Sequence, residues 1–298
     1  MAGKRSTHDD VRTDGTLAKE WDEPPTDALR WRPGSDLGAV DARSTPGWEG
    51  DRAQGEQLVA LHADELSDLQ ERLFAEGRTG GSRSVLLLLQ GMDTSGKGGI
   101  VRHVVGLVDP QGVQHRSFGV PTDEERAHGY LWRIRNGLPR PGHIGVFDRS
   151  HYEQVLVVRV AGLEPREEWE AHYDEINAFD AEVAASGTSI VKVMLAISRD
   201  EQKARLTQRL ERPDKHWKYD PSDIDARLLW DDYQAAYQDM LDRTHTDAAP
   251  WYVVPADRKW FARLAVSELL LGTLRGLDLG WPTAAFDVEA ELERLAAT

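Results

Sequence analysis

The sequence predicts an α/β fold: a five-stranded parallel sheet covered by helices on both faces. Three observations predict it. Five short runs, Ser84–Gln90, Val113–Phe118, Ile144–Phe147, Ser189–Ile197 and Trp251–Pro255, lie between turn residues and are too short for typical helices. The most apolar of them show no polar alternation, the pattern of strands buried on both faces. Longer stretches with apolar residues at helical spacing separate the runs, so strand and helix alternate. The chain has 298 residues, 40% of them apolar. That is enough for a large core and excludes disorder over the whole length.

Taken in order, residues 1–50 are rich in Asp, Pro, Gly, Thr and Arg and show little periodicity. Residues 1–55 are therefore expected to form a polar arm, flexible or wrapped on the surface. Leu58, Leu61, Leu66, Leu69 and Leu73 recur at helical spacing and predict a helix over Glu56–Phe74, ended by a glycine-rich turn. The strand Ser84–Gln90 follows. Further helices are expected over Ile100–Val108, Asp123–Asn136, Tyr152–Val160, Arg166–Ala185, Asp200–Glu211, Pro221–Thr244 and Arg258–Leu274. Residues 56–282 read as one domain, with 283–298 a C-terminal helix or tail.

The composition excludes several functions. There is no cysteine, so disulfides, thiolate metal sites and cysteine nucleophiles are ruled out. No apolar run approaches the ~20 residues that span a bilayer, and the first thirty residues lack the apolar stretch of a secretory signal. A cytoplasmic protein with no membrane partner is expected. The formal charge is −15, which argues against a nucleic-acid partner, because duplex affinity rests on neutralising phosphates with Lys and Arg. The ten His show no metal-ligand spacing.

The first strand runs into Gly91-Met92-Asp93-Thr94-Ser95-Gly96-Lys97-Gly98-Gly99 and then a helix. This is G-x-x-x-x-G-K in its strand–loop–helix setting. Glycines let the backbone curl so that several N–H groups face one anion. The helix adds its positive end, and Lys97 brings a mobile charge to a phosphoryl group. Gly91, Thr94, Ser95, Gly96, Gly98 and Gly99 are the expected phosphate cradle. The usual Ser or Thr after the lysine, which holds magnesium, is replaced by Gly98. Asp93 is the expected substitute, since a hard carboxylate suits magnesium and would otherwise repel phosphate.

The third strand ends in Asp148-Arg149-Ser150. An Asp at the carboxyl end of a buried parallel strand lies beside the phosphate loop, so Asp148 is the expected second metal carboxylate and Arg149 a donor fork toward phosphate oxygens. Ser150 or Asp148 could instead cap a helix. Arg199 to Lys218 is locally basic, with Arg205, Arg209 and Arg212 at i, i+4, i+7. A lid over about residues 205–245 is expected, with Arg209, Arg212, Lys215 and Lys218 on phosphates; a solvated charged face is the plain alternative. The acidic stretch after it is read as a solvated face or as partner for the lid. Trp132 and Arg133 are candidates for contact with an acceptor nucleotide, whereas Trp217, Trp230 and Trp260 are expected in the core.

The blocks LLLLQGMDTSGKGG, DPQGVQHRSFGVPTDEERAHGYLWRI, GHIGVFDRSHYEQVLVVRV, RLERPDKHWKYDPSDIDARLLWDDYQAAYQDML and APWYVVPADRKWFARLAVSELLL, in that order, resemble the polyphosphate kinase 2 family over residues 56–282. The glycine after the loop lysine is part of the resemblance. It implies a three-layer αβα P-loop kinase fold, thymidylate-kinase-like, with a helical lid. It implies reversible phosphoryl transfer between inorganic polyphosphate and a nucleoside mono- or diphosphate, with magnesium (Mg2+), manganese (Mn2+) being able to replace it. By the same resemblance Asp93, Lys97 and Asp148 are the loop carboxylate, the lysine and the second carboxylate, and Arg149, Arg209 and Arg212 are polyphosphate and transition-state contacts. A homodimer or homotetramer is implied too. Two blocks look closer to members that accept monophosphates. An ATP-dependent kinase on the same fold and a non-catalytic polyphosphate sensor are the rival readings.

Overall fold

The computed structural model describes residues 21–298. Its sheet has five parallel strands, β1 (Ser84–Gln90), β2 (Val113–Ser117), β3 (Ile144–Asp148), β4 (Thr188–Ala196) and β5 (Trp251–Pro255), in the order β2-β3-β1-β4-β5. β1 is the middle strand and all seven of its residues are buried. Alternate residues feed opposite faces. Val85, Leu87 and Leu89 pack with α1 (Arg52–Arg78) and the long C-terminal helix, whereas Leu86 and Leu88 pack with Phe147, Tyr173 and Met240 on the other side. These are the two faces of a three-layer αβα sandwich.

The chain leaves β1 toward β2 and leaves β3 toward β4, so the connections from these two neighbouring strands run in opposite directions. Ligands bind at such a switch point, outside the carboxyl ends of the strands. Leu89 of β1 lies opposite Asp148 of β3, which places the loop after β1 beside the end of β3.

Helix boundaries follow local chemistry. Asp51 and Gln54 form a reciprocal capping box that starts α1 four residues ahead of the predicted Glu56. α2 (Lys97–His103) is short and continues as a 3-10 turn over Val105–Leu107. α3 (Arg166–Ala185), α4 (Arg199–Glu211) and α7 (Lys259–Gly276) lie close to their predicted spans. The single helix expected over Pro221–Thr244 is instead two, α5 (Ser222–Leu228) and α6 (Trp230–Thr244), broken at Leu229. α8 (Val288–Ala296) closes the chain.

That break corrects the extent of the lid. On α6, Trp230, Ala236, Tyr237, Met240 and Leu241 are buried in the core, so residues 230–244 belong to the body of the domain. Of the arm expected over residues 1–55, flexible or wrapped on the surface, the described part is packed on the body. Residues 1–20 lie outside the described residues, but 21–50 are packed rather than flexible. Leu29, Trp31, Leu37 and Trp48 are buried. The Trp31 N–H donates to the Trp251 carbonyl and the Val253 N–H to the Leu29 carbonyl, both at 2.9 Å. The segment thereby covers β5, an edge strand that would otherwise be open to pairing. Its apolar anchors are too far apart in sequence to show a period.

Beneath the switch point lies a buried polar knot. Asp180 of α3 accepts from the Tyr152 hydroxyl at 2.7 Å and from Lys192 Nζ of β4 at 3.0 Å, with His151 Nε2 3.1 Å away. Lys192 also donates to the Tyr152 hydroxyl and the Thr244 carbonyl, each at 2.8 Å. Burial disfavours the Asp180 charge, but Lys192 and His151 more than offset this, and its pKa falls well below the usual carboxylate range. The knot anchors His151 and Tyr152, immediately after the Asp148–Arg149–Ser150 segment.

Candidate active site

The loop after β1 is shaped by two glycines. Gly91 has φ 144°, and a Cβ there would lie 2.7 Å from the Leu195 carbonyl oxygen; Gly96 has φ 120°. Thr94 is left-handed at φ 65°. Among the described residues the N–H groups of Gly96, Lys97 and Gly98 find no acceptor. The hydroxyls of Thr94 and Ser95 are buried and also unpartnered. Orphan donors gathered in one loop fit an anion. A Cβ on Gly98 would meet nothing within 4 Å, so packing does not forbid the hydroxyl that other phosphate loops carry there.

Lys97 is buried and folds back onto its own loop, donating to the Gly91 carbonyl at 2.7 Å and the Met92 carbonyl at 3.5 Å. Burial pushes its pKa below the usual ammonium range, with Asp93 opposing. Asp93 accepts from Arg149 Nη2 at 2.8 Å. Arg149 has φ 65°, the left-handed region that residues with a Cβ rarely adopt. It is held there by its N–H on the Leu89 carbonyl at 3.1 Å and by Glu153, 3.6 Å from its Nη1. Burial works against the Arg149 charge, but Glu153 and Asp93 more than offset it. Asp148 has no side-chain partner among the described residues.

Asp93, Asp148, Lys97 and Arg149 face one cavity of about 800 Å3. Nine Lys or Arg and only two carboxylates line it, a reversal of the −15 of the whole chain. Thr94, Ser95, Gly96, Gly98, Gly99, Arg209, Lys215 and Lys218 also reach it. The two carboxylates fit magnesium by their chemistry. That ion takes oxygen donors, uses one or two carboxylates and fills its other positions from phosphates and water. No group of three or more metal-ligating side chains occurs among the described residues.

Several expected residues are not brought to this cavity. Gly91 lines a smaller neighbouring pocket, because its role is to let the strand turn against β4. Arg212, the last residue of the i, i+4, i+7 row, ends α4 and pairs with Asp214 at 2.8 Å in solvent. Arg133 is buried, donating to the Gly119 carbonyl at 2.8 Å, and Trp132 stacks on His128. Neither side chain lines this cavity. Arg205, on the same row, reaches the cavity wall as a clamp. Its guanidinium donates to the carbonyls of Thr94 and Ser95 on the phosphate loop and of Ala256 and Asp257 after β5. Arg209 is tied to Asp223 at 3.1 Å, so the acidic stretch does partner the basic one. Sequence reasoning missed Glu153, Arg102, His103, Lys259 and Arg263. It also missed Trp217, which is 78% exposed and lines the cavity rather than the core.

A family model described as Polyphosphate kinase 2 matches residues 49–279. The chain belongs to the polyphosphate kinase 2 family. It is accordingly an enzyme that transfers a phosphoryl group between polyphosphate and a nucleotide. It is 44% identical over 247 residues to an AMP/ADP-polyphosphate phosphotransferase of Meiothermus ruber, covering 83% of this chain and 91% of that one. It is 39% identical over 259 residues to an ADP-polyphosphate phosphotransferase of Rhodopseudomonas palustris, covering 83% and 88%. The crystal structure of polyphosphate kinase 2 from Arthrobacter aurescens TC1 superposes with a TM-score of 0.91 at 52% identity, over 94% of this chain and 99% of that one. No helix among the described residues is long and apolar enough to cross a membrane.

Proposed function

We propose that this polyphosphate kinase 2 phosphorylates both nucleoside monophosphates and nucleoside diphosphates, with Asp93, Lys97, Asp148 and Arg149 at the centre of the reaction. The observation that carries the reading is the shared cavity, in which two carboxylates from the loop after β1 and the end of β3 lie among nine basic side chains, Lys97 and Arg149 included. The acceptor class draws support from relatives named for AMP, ADP or both.

The acceptor is a phosphate oxygen already anionic near neutral pH, so the reaction needs no general base. Alignment and charge neutralisation carry it. Magnesium, when bound, supplies charge neutralisation between donor and acceptor phosphates, and Asp93 and Asp148 would hold it. Lys97 leaves the Gly91 carbonyl for the phosphoryl group, and Arg149 presents its fork to the same charge. The free N–H groups of residues 96–98 and the hydroxyls of Thr94 and Ser95 cradle the donor's terminal phosphate. Arg209, Lys215 and Lys218 close over phosphates from the lid, each contact worth about 1.5–3 kcal/mol. Trp217 beside them, with Lys218 Nζ 4.8 Å from its ring centroid, gives the acceptor base a stacking face, the part the sequence suggested for Trp132.

The test incubates AMP, ADP, GMP and GDP separately with polyphosphate and magnesium, without any nucleoside triphosphate, and separates products by ion-exchange chromatography. Di- and triphosphate products from both acceptor classes are expected. Turnover of one class alone overturns the dual-acceptor reading.

A further inference from the structure

The carbonyls of Asp93, Thr94 and Ser95, consecutive on the phosphate loop, are all held from α4. Gln202 Nε2 donates to the first at 3.3 Å, and Arg205 Nη1 to the other two at 2.8 and 3.1 Å. Gln202 and Arg205 stand at i, i+3 on one helix face, and both are buried. The remaining donors of Arg205 are spent as well: Nε on Glu201 at 2.8 Å, and Nη2 on the Ala256 and Asp257 carbonyls at 2.7 and 3.0 Å. No N–H of the guanidinium is left over for a phosphate. Arg205 therefore lines the cavity without being free to bind what enters it. Gln202 is fixed in turn by Arg227 of α5, which donates to Gln202 Oε1 at 3.0 Å. That contact decides which end of the amide faces the loop. The start of α4 is anchored too: the Ser198 N–H and hydroxyl donate to the Asp257 carboxylate at 2.8 and 2.7 Å.

What this grip does follows from the peptide plane. In a trans peptide the C=O of one residue and the N–H of the next point in opposite directions, and no peptide bond among the described residues is cis. Drawing the Ser95 carbonyl toward Arg205 turns the Gly96 N–H away from it, and holding the Asp93 carbonyl does the same for the Thr94 N–H. The Ser95 N–H between them is spent on the Met92 carbonyl at 3.1 Å. A loop that carries several glycines has many backbone conformations open to it, and an anion that had to order it would bind more weakly for doing so. We propose that Gln202 and Arg205 are positioning residues, which hold three loop carbonyls and so keep the loop amides in their phosphate-receiving orientation before a donor arrives. The inference rests on the reading of the loop as the donor's cradle, and it gives α4 a part separate from the phosphate contact of Arg209. Arg205 then supplies geometry rather than charge. A lysine would keep the charge but has no planar fork to bridge Thr94, Ser95 and the turn after β5.

The test compares the wild-type protein with Arg205→Lys and Gln202→Met. Steady-state transfer is measured at varied polyphosphate and at varied nucleotide, and hydrogen exchange of the peptide over residues 91–98 is followed without substrate, below the thermal midpoint of each variant. Arg205→Lys should raise the polyphosphate KM at least about tenfold, the loss of at least one charge-assisted contact, although the charge is kept. The nucleotide KM should stay within about twofold of wild type, well short of one such contact. The loop amides should exchange faster, while those of β1 and β3 keep their wild-type rates. Gln202→Met removes one neutral hydrogen bond and should raise the polyphosphate KM by about threefold, with the same quickening of the loop; it decides the matter if Arg205→Lys does not fold. A wild-type polyphosphate KM in Arg205→Lys shows that charge suffices and overturns the assignment. Equal rises in the two KM values, or unchanged loop exchange in both variants, overturn it too. Tripolyphosphate added to the wild type should slow exchange of the same peptide. No slowing there contradicts the cradle reading, whereas slowing there with unchanged variants contradicts the positioning role alone.

Discussion

Lys192 and Lys97 are both buried, at 0% and 9% exposure, yet the company each keeps is different. Lys192, in the middle of β4, has a dedicated carboxylate in Asp180, a phenol in Tyr152 and a carbonyl at Thr244. Every proton of its ammonium group has an acceptor. Lys97, just past the end of β1, has only carbonyls of its own loop, one of them at 3.5 Å. Both side chains carry the desolvation penalty of a buried charge. Lys192 is compensated inside the fold, whereas Lys97 bonds only to carbonyls, with no carboxylate in hydrogen-bond reach, at the place where phosphate is expected. A satisfied buried cation holds a structure together, and an unsatisfied one beside a cavity marks the ligand that completes it.

Exchange of each lysine separates the two roles. Lys192→Ala leaves Asp180 buried without its cation and should cost about 3–5 kcal/mol of stability, read as a lower urea midpoint. The fraction that stays folded should retain most of its turnover. An unchanged urea midpoint would show that the knot is not a structural device. Lys97→Ala should do the reverse: a loss of at least ~100-fold in turnover, the scale of a removed charge-stabilising donor, with the urea midpoint near that of the wild type. A large fall in stability with little change in rate would exchange the two assignments.

The same comparison predicts a pH dependence. The folded-state pKa of Asp180 is depressed, so its contribution is present above the unfolded value of about 3.9 and fades as pH falls toward the folded value. Urea midpoints measured downward from pH 5 should therefore drop more steeply for the wild type than for Asp180→Asn. Parallel curves would remove Asp180 from the account.

A smaller contrast lies on α4. Arg209→Ala should raise the polyphosphate requirement by about tenfold, one charge-assisted contact. Arg212→Ala, whose partner is solvent-exposed Asp214, should change it by less than about fivefold. Kinetics at varied polyphosphate and fixed nucleotide read both, and equal effects would place the two arginines on the same ligand.

The strands and the phosphate loop were legible because their signals are local. Ser84–Gln90 and Trp251–Pro255 are unbroken runs, and the loop carries its glycines and lysine in sequence. Asp148 was legible because the strand before it is short and buried, which fixes where its last residue lies. What escaped the sequence is assembled from distant residues. Asp180 and Lys192 are ordinary charges until α3 lies across β4. Arg205 and Arg212 look equivalent at i and i+7, but one turns inward to four main-chain carbonyls and the other faces water. Arg102 and Arg263 meet only because α2 and α7 share a face of the sheet. Trp217 looks like core by residue type, yet the 3-10 turn over Pro213–Lys218 has no buried residue.

The central claim is that two carboxylates, one from the loop after β1 and one from the end of β3, act together beside Lys97. Turnover of Asp148→Asn at saturating polyphosphate, ADP and magnesium tests it most directly, on protein with a wild-type thermal midpoint. Among the described residues Asp148 bonds to no side chain, so this change removes a charge without removing a side-chain contact described there. A rate at least ~100-fold below wild type is predicted; a rate close to wild type would contradict the claim.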